Sequence, residues 1–151
     1  MNLQTYQIQK VTTEQELADA LSVRRVVFIE EQEVPEDLEI DEHDTLDSGT
    51  IHFVVYREGN PVGASRLRTY APGVGKIERV AVAKTERGTG LGRQIMLAME
   101  ELAKQHGYDS LKLSAQTQAQ QFYEKLGYQA FGDLFDDAGI EHIAMVKSIR
   151  E

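Results

Sequence analysis

A glycine-rich turn, Arg87-Gly88-Thr89-Gly90-Leu91-Gly92-Arg93, carries the first chemical signal in this chain. Ile77 to Val82 reads as a strand, and a short polar linker joins it to the turn. Beyond the turn Leu91, Ile95, Ala98, Met99 and Leu102 recur at helical spacing, an apolar stripe that must face a core. His106-Gly107 reads as the end of that helix. Strand, glycine turn and helix in that order suit an anion. The first N–H groups of a helix have no partner within it, and the helix dipole makes that end electropositive. Glycine removes the side chains that would keep a phosphate off the backbone. The turn is not a Walker A loop, because no Gly-Lys-Ser/Thr follows, and the dinucleotide fingerprint would need a third glycine where Arg93 stands. A glycine-rich connection that holds no ligand is the alternative.

The elements that must position this turn can be read along the chain. Tyr6 to Val11 alternates as a first strand. Thr12 or Thr13 caps a helix, with Glu16 completing a capping box after Thr13. Leu17, Ala20, Leu21, Arg24, Val27 and Phe28 follow at helical spacing. Glu30 to Asp47 is acidic and broken by Pro35, so a loop with a short helical turn is expected. Thr50 to Arg57 and Val62 to Tyr70 form a hairpin across Glu58-Gly59-Asn60-Pro61. A second turn, Ala71 to Gly75, leads into the central strand. After the central helix come a strand over Ser110 to Ala115 and a short helix over Gln116 to Leu126. Two last strands, Tyr128 to Phe131 and Ile143 to Val146, flank a polar connection from Asp133 to Glu141. This order, β-α-loop-β-β-β-α-β-α-β-β, predicts an α/β (α+β) fold with a mixed sheet and two helix-bearing crossovers.

Composition narrows the functions. A chain of 151 residues is the size of one domain, expected to span 1–151. Cysteine is absent, which excludes disulfides, thiolate nucleophiles and cysteine metal sites. His43, His52 and His106 show no metal-ligand spacing, so no metal is expected. Of the 25 acids ten lie between Glu30 and Asp47, where there is no Lys or Arg; the other 15 face 16 Lys and Arg. The net charge of −9 thus belongs to one segment. No basic face speaks for nucleic acid. No run approaches the ~20 apolar residues of a membrane span, and the first residues lack a signal peptide's apolar run, so a cytoplasmic protein is expected.

A second pattern runs from Gln116 to Tyr128, QTQAQQFYEKLGY. Together with Arg-x-x-Gly-x-Gly directly after Val80-Ala81-Val82, it resembles the two signatures of the GNAT superfamily of acyl-CoA N-acyltransferases. The family's second pattern is Asn-x-x-Ala-x-x-Phe-Tyr-x-Lys-x-Gly-Phe. This chain matches it at Ala119, Phe122, Tyr123, Lys125 and Gly127, with Gln116 for Asn and Tyr128 for Phe. The resemblance is close from Glu58 onward and looser over residues 1–30. It implies a mixed, mostly antiparallel sheet of about seven strands flanked by helices, splayed between the fourth and fifth strands. It implies transfer of an acetyl group from acetyl-CoA to a primary amine of a small molecule or peptide, by direct attack. The amides of Arg87, Gly88, Thr89, Gly90, Leu91, Gly92 and Arg93 would hold the pyrophosphate of coenzyme A. Val80, Ala81 and Val82 would pair with its pantetheine, and Gln116 and Phe122 would border it.

In that resemblance Tyr123 takes the place of the general acid that protonates the leaving thiolate; packing between helix and sheet is its alternative role. An amine arrives protonated, and two residues could take the proton. Glu78 stands where the glucosamine-6-phosphate acetyltransferases carry an acid, unless it is paired with Arg79 or Arg66. His142, in Gly-x-x-His-Ile, matches a histidine base of the glyphosate acetyltransferases, or is a half-exposed strand residue. Glu78 and Gln116 stand where two arginines of those enzymes would be, which argues against a phosphonate substrate. Arg66 and Arg68 read as surface or salt-bridge residues, or as partners of an acceptor's carboxylate. The acidic run is a solvated loop or a recruiter of cationic amines. Relatives are often dimers, so a homodimer is among the implied partners. A coenzyme A-binding module without transferase activity is the rival from another class, and another nucleotide-phosphate binder is a third.

Overall fold

The computed structural model describes residues 5–150. The strands are β1 (Gln7–Lys10), β2 (Ile51–Arg57), β3 (Asn60–Ala71), β4 (Val74–Val82), β5 (Ser110–Gln116), β6 (Gln129–Asp137) and β7 (Ile140–Ser148). The α-helices are α1 (Glu14–Arg24), α2 (Glu36–Glu39), α3 (Leu91–Gln105) and α4 (Gln120–Lys125). The strands form one sheet in the order β1-β2-β3-β4-β5-β7-β6. Every neighbouring pair is antiparallel except β4 with β5. That parallel pairing is short: Val74, Gly75 and Lys76 face Ser110, Leu111 and Lys112, and beyond them the strands part. The predicted sheet and its splay are both present.

A bulge lies on β4 just past the parting. Arg66 faces Glu78 and Ala64 faces Ala81, so Ser65 stands opposite both Arg79 and Val80. Arg79 has φ 58°, the left-handed conformation of the extra residue. Bulges bend a strand and break its ladder locally. This one sits where β4 turns away from β5.

Two cores hold the sheet. On one face Leu91, Ile95, Met96, Met99 and Ala103 of α3 pack against Leu67, Ile77, Leu111 and Met145. The stripe read in the sequence is thus centred slightly further round the helix, with Ala98 and Leu102 half-buried. Truncating any of these large side chains would cost about 2–5 kcal/mol. On the other face Leu17, Ala20, Val23 and Val27 cover Val54, Ala64 and Ala81. The expected capping box is present: Glu16 N–H donates to Thr13 Oγ1 at 3.1 Å, and Thr13 N–H donates back to Glu16 Oε1 at 3.2 Å.

The structure corrects three expectations. After α1 the chain continues as a π-helical turn, Arg25–Glu31, which apolar spacing does not distinguish from α-helix. The segment read as a polar connection is largely strand. β6 runs on to Asp137 and turns at Ala138-Gly139, both with positive φ, as a two-residue hairpin requires. β6 is an edge strand exposed on both faces, so backbone pairing holds it without apolar alternation. The acidic run is not simply a solvated loop. Its centre folds onto the sheet, with Glu39 and Asp44 buried beside Arg24 and Arg66, which are each 1% exposed. Arg66 is therefore a salt-bridge residue and not a surface one. Among the described residues no helix is long and apolar enough to cross a membrane.

Candidate active site

Where β4 and β5 part, they open a cleft of about 600 Å³. Glu78, Val80 and Val82 line it from β4, and Ser114 and Gln116 from β5. Arg87 and Gly92 stand at its helical end, Phe122 and Tyr123 come from α4, and Ile140 and His142 from β7. Phe28, Glu31, Gln32 and Leu38 form a roof from the α1–α2 segment. Nine of the residues singled out in the sequence are thus brought together. Ala81 and Leu91 point into the two cores, each 1% exposed, and supply only backbone to this region. Gly88, Thr89, Gly90 and Arg93 lie on the exposed turn beside Gly92 and do not line the cleft.

The turn has the features an anion needs. α3 begins with Gly90 at φ 88°, no side chain caps it, and its first turn holds no acid. Gln94 N–H to Gly90 C=O, at 3.1 Å, is the first bond of the helix, so the amides of Gly88 to Arg93 are available, whereas Arg87 N–H donates to Lys84 C=O at 3.4 Å. Gly88 and Gly90 both have left-handed φ, which explains glycine at these places. At Gly92 the reason is space: an added Cβ would lie 3.3 Å from Cζ of Phe122. Thr89 Oγ1 donates to Glu86 C=O at 2.6 Å and tethers the turn from below. Arg87 is held by Val82 C=O at 3.1 Å and by Glu31 at 2.6 Å, so it reaches from the turn to the roof.

Of the titratable side chains that line the cleft, the three singled out as proton carriers differ in chemistry. Tyr123 meets Phe122 edge-on, with centroids 5.0 Å apart, and Tyr128 at 6.1 Å. Its hydroxyl has no hydrogen-bond partner among the described residues. Burial pushes its pKa up to about 12, so at neutral pH it is a proton donor. Glu78 is the reverse case. Burial alone would raise its pKa, but hydrogen bonds from Arg68 and the charges of Arg66, Lys76 and Arg68 outweigh burial and hold it at about 2. A carboxylate held so low is a weak proton acceptor. His142 is 8% exposed and stacks on Phe135, with centroids 5.8 Å apart. Its Nδ1 lies 2.7 Å from Ile140 C=O. A carbonyl only accepts, so Nδ1 carries the proton, and Nε2 of the neutral ring keeps a lone pair.

Sequence reasoning missed the network that builds the roof. Arg24 donates to Glu39 at 2.8 Å and to Asp44 at 2.7 and 3.0 Å. Arg66 grips Asp41 at 2.7 and 2.8 Å, Asp44 at 3.0 Å and Glu78 at 3.0 Å. Arg79 pairs with Glu39 at 3.0 Å and donates to Leu38 C=O at 3.1 Å. The bulge thereby aims Arg79 at α2 and fastens the acidic segment to β4. One signal was in the sequence: Arg24 stands within the apolar stripe of its helix, and a buried charge requires counter-charges.

The chain was compared with known proteins. The family model described as "Acetyltransferase (GNAT) domain" matches residues 6–149. The Bacillus subtilis protein YyaT is 46% identical over 142 residues, covering 94% of this chain and 95% of that one. YjcF of the same organism, named an uncharacterized N-acetyltransferase, is 46% identical over 135 residues, 89% of this chain and 94% of its own. The crystal structure of an acyl-CoA N-acyltransferase from Pseudomonas aeruginosa superposes with a TM-score of 0.84 at 29% identity, covering 97% of this chain and all of that one. On the extent of these matches, and on the glycine turn and splayed cleft described above, the chain belongs to the GNAT acetyltransferase family.

Proposed function

We propose that this chain transfers an acetyl group from acetyl-CoA to a primary amine, without a covalent enzyme intermediate. One observation carries the reading: an uncapped glycine turn and a tyrosine that holds its proton face one cleft between parted strands. The donor's diphosphate would rest on the amides from Gly88 to Arg93, with no acid in the first helical turn to repel it and the Arg87 amide already held by Lys84 C=O. The main chain of Val80 to Val82 would pair with the pantetheine, since β4 has no β5 partner there. The bulge at Arg79 interrupts the ladder beside Val80, and the Val80 N–H would hold the developing oxyanion.

The amine nitrogen attacks the thioester carbonyl, and a C–N bond forms. As the C–S bond breaks, the sulfur takes the phenolic proton of Tyr123. The amine's surplus proton goes to His142 Nε2, directly or through water. Glu78 is the other base named by the sequence. Its three cationic partners favour its ionised form, so we assign it to holding Arg66 and Arg68. The test is thiol release from acetyl-CoA with a panel of amines. Tyr123→Phe should lower kcat about 100-fold, His142→Ala should also slow turnover, and Glu78→Gln should affect stability more than proton transfer. Full activity in Tyr123→Phe would refute the assignment. Binding of coenzyme A without turnover of any amine would favour the rival reading, a catalytically silent coenzyme A-binding module.

A further inference from the structure

Arg68, Lys76 and Lys112 stand side by side in register on three adjacent strands. Residues so paired share one face of the sheet, and like charges directly opposite one another destabilise it. The row is costly in itself and runs against a chain whose net charge is −9. Compensation is incomplete. Glu78 is the acid within the row's reach, and it already serves Arg66, Arg68 and Lys76. Lys112 has no carboxylate partner among the described residues. Its Nζ instead donates to the Tyr70 hydroxyl at 3.0 Å and lies 4.1 Å from the Tyr70 ring centre and 5.7 Å from that of Phe131. Those rings are 51% and 46% exposed, so this sheet face is open to solvent.

The row is also connected to the cleft. Side chains alternate along a strand, so Lys112, Ser114 and Gln116 lie on one face of β5. Ser114 and Gln116 line the cleft, as do Lys76 and Glu78 on β4. His142 faces Gln116 across β5 and β7. From Gln116 to Lys112 is four residues, roughly 13 Å of strand. An elongated molecule with its amine near His142 would reach the cationic row with its other end.

We infer that the acceptor is an amine that also carries a carboxylate, seated on Lys112 and Lys76 beside the Tyr70 and Phe131 rings. This rests on the transferase reading and names its substrate class. The anion lies a step beyond Glu78 and Gln116, the positions that argue against a phosphonate in the cleft itself. The acids of this side that line or border the cleft are already paired, Glu39, Asp41 and Asp44 with Arg24, Arg66 and Arg79 and Glu31 with Arg87, which leaves them poor recruiters of a cationic amine. The row makes the opposite choice.

The experiment compares 11-aminoundecanoate with undecylamine and 1,11-diaminoundecane, long enough for the roughly 13 Å span and different in the far end. Thiol release is measured in the wild type, Lys112→Gln and Lys112→Arg, and binding of 11-aminoundecanoate in the presence of coenzyme A is measured by calorimetry. The expected result is a wild-type preference for the carboxylate. That ratio should fall about tenfold or more in Lys112→Gln and be kept in Lys112→Arg, as for loss of a charge-assisted contact. Preference for the diamine, or the same ratio in Lys112→Gln as in the wild type, overturns the inference while leaving the transferase standing. Binding that weakens in Lys112→Gln, with no turnover of any amine, upholds the site and removes the transferase. Absence of wild-type binding and of any carboxylate preference removes the site.

Discussion

The two walls beside the cleft are built in opposite ways. The segment Glu36 to Asp44, which carries the Leu38 end of the roof, is fastened to α1, β3 and β4 by arginine–carboxylate pairs, most of them buried. In the β6–β7 hairpin β7 is laddered to β5 as well, whereas β6 is held chiefly by its ladder with β7 and leaves Phe131, Leu134 and Phe135 exposed. Buried charges are unforgiving, because removing one partner strands the other in a poorly solvated place. An edge ladder tolerates change on its faces, because its hydrogen bonds do not depend on which side chains are present. The roof therefore fixes the β4 side of the cleft, His142 is positioned on β7 by its pairing with β5, and the outward faces of β6 are free to vary.

The sharpest way to break this contrast is Arg66→Ala. It leaves Asp41, Asp44 and Glu78 without their shared guanidinium and should cost about 3–5 kcal/mol in denaturant unfolding. A loss near that of a surface substitution would show that the roof is not held by charge. Acid should act on the same wall. Hydrogen bonding and charge from Arg66 and Arg24 outweigh burial and hold the carboxyls of Asp41 and Asp44 below their usual range, as Glu78 is held at about 2. Folded pKa values below the unfolded ones give stability that is complete above the unfolded values and lost as pH falls through the folded ones. Unfolding free energy should thus drop as pH falls between about 4.5 and 2, below a shallower decline that begins near 6.5, where the unfolded chain protonates His52 and burial resists its protonation in the fold. Burial moves Glu39 the other way and offsets part of the loss. A stability profile with no slope there would contradict the ion-pair account. The smallest effect belongs to the hairpin: Leu134→Ser, at a residue 52% exposed, should change stability by no more than about 0.5 kcal/mol.

The same contrast explains what could be read from the chain. The turn, the α3 stripe, the capping box and the β2–β3 hairpin rest on local rules, and all were legible. The second signature was legible too, and it brought Tyr123, Phe122 and Gln116 to the cleft. The roof was not, because pairing Arg24 and Arg66 with acids 15 to 25 positions away depends on tertiary approach. Only the misplaced charge of Arg24 in an apolar stripe hinted at it. The far part of β6 was missed because an edge strand needs no alternation. The bulge at Arg79 leaves no mark in residue type, since arginine is unfavourable at positive φ and is held there by its contacts to α2. The sequence left Glu78 either as a base or as a partner of Arg66 or Arg79, and the proposal of His142 as base rests on the cations that surround Glu78 in the fold.

The central claim is that backbone amides of the Arg87–Arg93 turn hold a diphosphate and direct a sulfur to Tyr123. Calorimetric titration of the folded protein with coenzyme A, and then with pantetheine, which lacks the diphosphate, tests it most directly. The account predicts clear binding of coenzyme A and a large loss with pantetheine. No heat with coenzyme A at millimolar concentration, or equal affinity for the two, would contradict it.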